Sequence, residues 1–180
     1  PGLRPERGFP YWSPFRRLAF SPNGVYLAGI WPGILRRRAE PARFELRYAA
    51  SGGPDCSWPP TGDRAFESVG FVSFSHDSST CVFGWEGEFH VLDTSTGTRS
   101  GDVRRVEARF RDAAFTGSGH LFATVEETGR LKLWDPKAWQ VVREYDWGVG
   151  PLTSLAFTAD GSAGVCGTAA GQLVQFDVDE

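Results

Sequence analysis

The sequence predicts an all-β protein built from a repeated unit of four short antiparallel strands. Three observations carry that prediction. A strand-and-turn segment recurs four times, a second strand ending in a fixed column recurs with a constant period, and no window shows a 3.6-residue apolar stripe of helical length.

The turn segments read LAFSPNG from Leu18, VSFSHDS from Val72, AAFTGSG from Ala113 and LAFTADG from Leu155. Each sets a Phe at the same point: Phe20, Phe74, Phe115 and Phe157. Ser or Thr follows, then a variable residue, then Asn, Asp or Ser, then Gly or Ser. Asn-Gly and Asp-Gly tolerate positive φ and are strong two-residue hairpin signals. The second column ends GEFHVLD from Gly87, GRLKLWD from Gly129 and GQLVQFD from Gly171, and its aspartates Asp93, Asp135 and Asp177 are spaced 42 residues apart. A weaker copy, ARFELRY from Ala42, puts Tyr48 in that column, 45 residues before Asp93.

Between these columns lies a short apolar run: YLAGI from Tyr26, TCVFG from Thr80, LFATV from Leu121 and AGVCG from Ala163. A fourth run follows the Asp column: DCSW from Asp55, TRSGDV from Thr98 and WQVVREY from Trp139. The middle strands are apolar on both faces, so each unit must bury both sides against neighbours. From turn Phe to Asp column the interval is 28 residues in the first copy and 19, 20 and 20 in the others; WPGILRRRAEPA from Trp31 holds the extra length.

The period and the paired columns resemble the WD-repeat family of β-propellers, over residues 15–180. The resemblance implies four-stranded antiparallel blades at 15–60, 61–105, 106–147 and 148–180, the last with three strands, and residues 1–14 as a tail or an outer edge strand. Some family features are absent. Only Trp134-Asp135 is a full Trp-Asp pair, no Gly-His precedes a first strand, and Glu86, Thr128 and Ala170 stand where the family places an Asp. The family's Asp–His–Ser–Trp network therefore cannot form as a full set, and Trp134 and Asp135 read as structural residues. Family rings close with about seven blades. Four imply a partial propeller completed by blades of a parent chain or of another chain. The alternative is a closed four-bladed ring, with residues 8–13 as the outer strand of the last blade. The chain has no Met, even at position 1, which fits a piece of a longer chain or a processed product.

Composition narrows the function. Net charge is −3, so no basic field favours nucleic acid. No apolar run reaches a membrane span and no signal peptide precedes the repeats; a cytoplasmic location and no membrane partner are expected. Cys56, Cys81 and Cys166 are odd in number and lack a CxxC spacing, and they read as structural. His76, His90 and His120 show no metal-ligand spacing and read as solvated or packed side chains. There is no GxSxG elbow and no phosphate loop. The acidic pair Glu126-Glu127 falls in a hairpin turn, where solvation accounts for it. No catalytic residue, metal or cofactor is expected.

One feature stands out. The insertion carries Arg36, Arg37 and Arg38 flanked by Trp31, Ile34 and Leu35. In the family topology, second-to-third-strand loops share a rim with the connections between blades. Arg64, Arg104, Arg105, Arg109, Arg111 and Trp147 fall in those connections. Arg and Trp suit acidic peptides and protein interfaces; the alternative is a solvated loop. The expected function is a non-catalytic scaffold for a protein or peptide, with candidate rim residues Trp31, Arg36, Arg37, Arg38, Arg64, Arg109, Arg111 and Trp147. Rival readings are a regulatory or sensor propeller segment of a larger enzyme, part of an enzymatic propeller, and a phosphate- or nucleic-acid-binding surface.

Overall fold

A computed structural model describes residues 17–31, 43–51, 54–58, 70–85, 87–99, 104–105 and 108–178. Among these residues the protein is all-β, with four antiparallel sheets and no helix. The first sheet holds β1 (Arg17–Phe20), β2 (Tyr26–Trp31), β3 (Arg43–Tyr48) and β4 (Pro54–Trp58). The second holds β5 (Phe71–Phe74), β6 (Thr80–Trp85), β7 (Glu88–Asp93) and β8 (Arg104–Arg105). The third holds β9 (Phe110–Phe115), β10 (Phe122–Glu126), β11 (Arg130–Asp135) and β12 (Gln140–Asp146). The fourth has three strands, β13 (Leu152–Phe157), β14 (Ala163–Thr168) and β15 (Leu173–Asp177). Each sheet is a meander in chain order, each strand paired to the next.

The four turns after the Phe column are built alike. The N–H of Gly24, Ser78, Gly119 and Gly161 donates to the carbonyl of Ser21, Ser75, Thr116 and Thr158 respectively, at 2.8–3.0 Å. The hydroxyl of each of those Ser and Thr residues then accepts the N–H that opens the second strand: Tyr26, Thr80, Leu121 and Ala163. Only the last turn residue has positive φ, at 70° for Gly24, 64° for Ser78, 72° for Gly119 and 76° for Gly161. The turns are therefore wider than the expected two-residue hairpins, which require positive φ earlier in the turn. The side-chain hydroxyl supplies the closing acceptor instead. Ser78 is the one non-glycine at this position; its Oγ accepts the Asn23 N–H from the first turn, tying the two together.

The sheets pack face to face in chain order. Ala28, Ile30, Phe44 and Leu46 of the first meet Phe74, Cys81, Phe83 and Leu92 of the second, with the Phe44 and Phe83 rings stacked at 3.7 Å between centroids. Phe71, Val82, Phe89 and Val91, on the second sheet's other face, meet Phe110, Phe115, Phe122 and Trp134 of the third. Ala123, Val125, Leu131 and Leu133 then meet Leu152, Cys166 and Phe176 of the fourth. The residues follow columns. Phe44, Phe89 and Leu131 hold the same place on successive third strands, and each is fully buried by the sheet that follows. This is the burial on both faces that the apolar middle strands require.

The first strands lie side by side, β1 by β5, β5 by β9 and β9 by β13. A side-chain-to-backbone bond crosses each step: Arg17 Nε donates to Gly70 O at 3.2 Å, Phe115 N–H to Ser73 Oγ at 3.3 Å, and Leu155 N–H to Asp112 Oδ2 at 3.1 Å. Among the described residues nothing packs on the outer faces of the terminal sheets. Leu18 and Phe20 are 53% and 65% exposed on the first, and Leu173 is 79% exposed on the fourth.

The second sheet's outer strand departs from expectation. Of the run from Thr98 only Thr98 and Arg99 are described, and Arg99 bridges Leu92 after a turn in which Asp93 accepts the N–H groups of Ser95 and Thr96. The described strand is Arg104–Arg105, opposite Phe89 and Glu88. The 8–13 segment proposed as an outer strand lies outside the described residues.

Candidate interaction surface

The third sheet shows how one rim is made. The β10–β11 turn meets the incoming connection through a bond from Glu127 N–H to Arg109 O at 2.9 Å. It meets the outgoing connection at Gly129, where a Cβ would lie 2.6 Å from Gly150 O. With φ at +92°, Gly129 needs glycine for both conformation and space. In the third sheet the strand-two-to-three turn and the connections to the neighbouring sheets thus lie at one end, while the β2–β3 loop of the first sheet lies outside the described residues.

Of the candidate rim residues, Arg109 and Arg111 are exposed there. Arg111, inside β9, is paired with Glu127 at 3.2 Å, a solvent-screened contact of about 0–1 kcal/mol. Trp147 is half-buried; its ring stacks on Tyr145 at 5.3 Å and lies 5.4 Å from Phe176, so it seals the third sheet to the fourth. That use leaves less of it for a partner than the sequence suggests. Trp31 ends β2. Arg36, Arg37, Arg38 and Arg64 lie outside the described residues. Arg104 and Arg105 form β8 and do not lie in a connection.

The opposite end carries the Phe-column turns and the turns after the Asp column. Thr94 Oγ1 donates to Ser78 O at 2.7 Å, and Gly119 packs on the His76 Cβ. A hollow of about 300 Å³ opens among His76, Asp77, Phe115, Ser118, Pro136 and Lys137. The turn carboxylates are held below their ordinary range. For Asp77 the Ser75 hydroxyl and the Ser79 N–H do this; for Asp93 the Ser95 hydroxyl and the Thr96 N–H; for Asp160 the Thr158 hydroxyl and the Ser162 N–H. Such groups contribute stability above their unfolded pKa of about 3.8, and that contribution is lost as pH falls through the lower folded value. An Asp77→Asn, Asp160→Asn variant keeps the acceptor oxygen, as Asn23 does naturally in the first turn. Its urea midpoint should therefore fall less than the parent's between about pH 5 and about pH 2.5; parallel curves would assign the acid loss elsewhere.

Asp112, which the sequence did not single out, is half-buried, while Cys166 and His90 are packed side chains, a reading the sequence allowed. Asp112 bridges β9 to β13, and burial raises its pKa against the pull of the Leu155 and Ala113 N–H groups. The sign is the reverse of the turn carboxylates: its contribution is present at low pH and lost as pH rises through the folded pKa. Cys166 nearby is pushed up to about 12, by burial and then by the Asp112 charge, so its thiol is an inert packing group. His90 is buried and stacks on Phe83 at 5.1 Å; burial and the Arg99 charge lower it to about 4, which keeps it neutral.

Glu126 differs most from expectation. It ends β10, is 2% exposed, and binds Lys132 Nζ at 2.7 Å while accepting from Thr128 Oγ1. Only Glu127 beside it is solvated. The signal available in the sequence was Lys132, which the hairpin places diagonally across from Glu126. Trp134 keeps one leg of a polar network, its indole N–H donating to Thr124 Oγ1 at 3.0 Å.

Among the described residues no three His, Cys, Asp or Glu side chains could hold a metal, and no helix is long and apolar enough to cross a membrane. No protein-family model matches the chain, and no curated protein matches it.

Proposed function

We propose that the four sheets are consecutive blades of a WD-repeat-like propeller, and that the protein is a non-catalytic scaffold presenting rim side chains to a protein or peptide. The observation that carries this reading is the fourfold recurrence of one turn network, with the four first strands laid side by side. Repetition of that kind makes a rigid frame whose loops are free to differ, and such loops carry binding. The open faces at Leu18, Phe20 and Leu173 support further blades beyond the first and fourth, from a parent chain or another chain.

The rim is the proposed site, with Arg109 and Arg111 its exposed described cations and the Arg36–Arg38 insertion beside Trp31 its main candidate. Acidic segments suit it, because guanidinium groups form forked bonds to carboxylates. Partner recovery in a pull-down should fall when Arg36, Arg37 and Arg38 become Glu, and fall again when Arg109 and Arg111 are also changed. Arg109 and Arg111 are exposed and the Arg111–Glu127 pair is solvent-screened, so changing them should leave folding intact. Unchanged recovery would remove the rim from the account.

A further inference from the structure

Asn23 is the only asparagine in the sequence, and Gly24 follows it. In an Asn-Gly pair the glycine nitrogen can attack the side-chain amide carbon before it, because no Cβ hinders the approach. The attack forms an N–Cγ bond, closes a five-membered succinimide and releases the side-chain nitrogen as ammonia. Water then opens the ring. Opening at Cγ leaves an ordinary aspartate. Opening at the main-chain carbonyl leaves a β-linked aspartate, with the chain running through the side chain. Either product carries one more negative charge than asparagine.

The first turn holds the reacting groups in other bonds. Gly24 N–H, the nucleophile's nitrogen, donates to Ser21 O at 2.8 Å. Asn23 Oδ1 accepts from Ser21 Oγ at 2.7 Å and from Val25 N–H at 3.0 Å, which pins the amide. Asn23 and Gly24 are both exposed, and the space where a Gly24 Cβ would point is open. Water therefore reaches the site, but the ring closes only after the three bonds break. That is a local opening of the turn and not global unfolding.

The neighbouring turns show that an ordinary aspartate fits here. Asp77 and Asp160 hold the place of Asn23 in the second and fourth turns. Their Oδ1 atoms accept from Ser75 Oγ and Thr158 Oγ1 at 2.6 Å, and from the N–H of Ser79 and Ser162 at 3.0 and 3.1 Å. These are the two Asn23 bonds with a carboxylate as acceptor, which strengthens them. The β-linked product fits poorly. It lengthens the main chain between Asn23 N–H, which donates to Ser78 Oγ at 3.1 Å, and Gly24 N–H.

We infer that Asn23 is a site of spontaneous deamidation gated by the Ser21 turn, and that its ordinary aspartate product keeps the fold while adding a carboxylate beside the other Phe-column turns. This site stands apart from the scaffold reading and uses none of the rim residues.

Peptide mapping by mass spectrometry tests it on three samples held in one mildly alkaline buffer: the folded chain, the guanidinium-unfolded chain, and a synthetic peptide copying residues 18–27 (LAFSPNGVYL). A gain of one mass unit at Asn23 should appear at similar rates in the peptide and the unfolded chain. In the folded chain it should be about 100-fold slower, since each of three bonds contributes roughly a factor of five. Ser21→Ala should speed the folded chain at least about fivefold and leave the peptide's rate unchanged, which separates gating from intrinsic chemistry. Asn23→Asp should have a urea midpoint at pH 7 equal to the parent's or higher. A folded chain as fast as the peptide would overturn the gating, and no mass gain at Asn23 in the unfolded chain would overturn the site. A clearly lower midpoint for Asn23→Asp would overturn the fit of the product.

Discussion

Replacing Phe122 with Ala is expected to cost about 3–5 kcal/mol of unfolding free energy. Phe122 is fully buried, and its ring lies 5.0–6.0 Å from those of Phe71, Phe89, Phe115 and Trp139. These rings come from the second and third sheets, so the truncation opens a cavity in the contact between them, where neighbours on two separate strand sets cannot both relax inward. A domain of this size has about 5–15 kcal/mol in total, so the loss approaches global unfolding. Phe20→Ala makes the internal comparison. Phe20 occupies the turn column of Phe74 and Phe115 but is 65% exposed, and its replacement should stay within about 0.5 kcal/mol. Urea denaturation of both variants checks the pair. Equal losses would mean that the outer face of the first sheet is covered in solution.

The second large effect is expected at Lys132. Lys132→Met removes the cation 2.7 Å from a carboxylate that is 2% exposed, and should cost about 3–5 kcal/mol because the Glu126 charge is stranded out of water. Changing both residues to Leu should recover most of that loss, since a buried ion pair is often no more stabilising than apolar residues of similar volume. Urea unfolding of the single and double variants at pH 7 decides it. A double variant as unstable as Lys132→Met would show that the loss lies in packing and not in the uncompensated charge.

Much of the fold was legible because the repeat writes the same constraint several times. One Phe before a turn says little; Phe20, Phe74, Phe115 and Phe157 at matching points, followed by a hydroxyl residue and then Gly or Ser, set the register of all four sheets. The turn geometry was not legible, because Asn23-Gly24 and Asp160-Gly161 suit a two-residue hairpin equally well until the hydroxyls of Ser21 and Thr158 close the wider form. The outer strand of the second sheet was legible only in part: its described residues are Arg104–Arg105, just past the run from Thr98, of which residues 100–103 lie outside the described residues. The candidate surface was legible only as composition. Arg109 and Arg111 stand at the expected end, but Trp147 reads as an interface anchor until Tyr145 and Phe176 are seen against its ring. Glu126 was hidden because a polar residue at a strand end looks solvated unless its diagonal partner is known.

The central structural claim is that the sheets stack in chain order through repeated columns and, among the described residues, leave the two end faces uncovered. Nuclear Overhauser contacts among ring and methyl protons test it most directly. The account predicts contacts from Phe44 to Phe83, from Phe71 to Phe122 and from Trp147 to Phe176, one set for each sheet-to-sheet step, and none joining Leu18 or Phe20 to Leu173. Contacts between Phe20 and Leu173 within one molecule, or the absence of any one of the three sets, would contradict it.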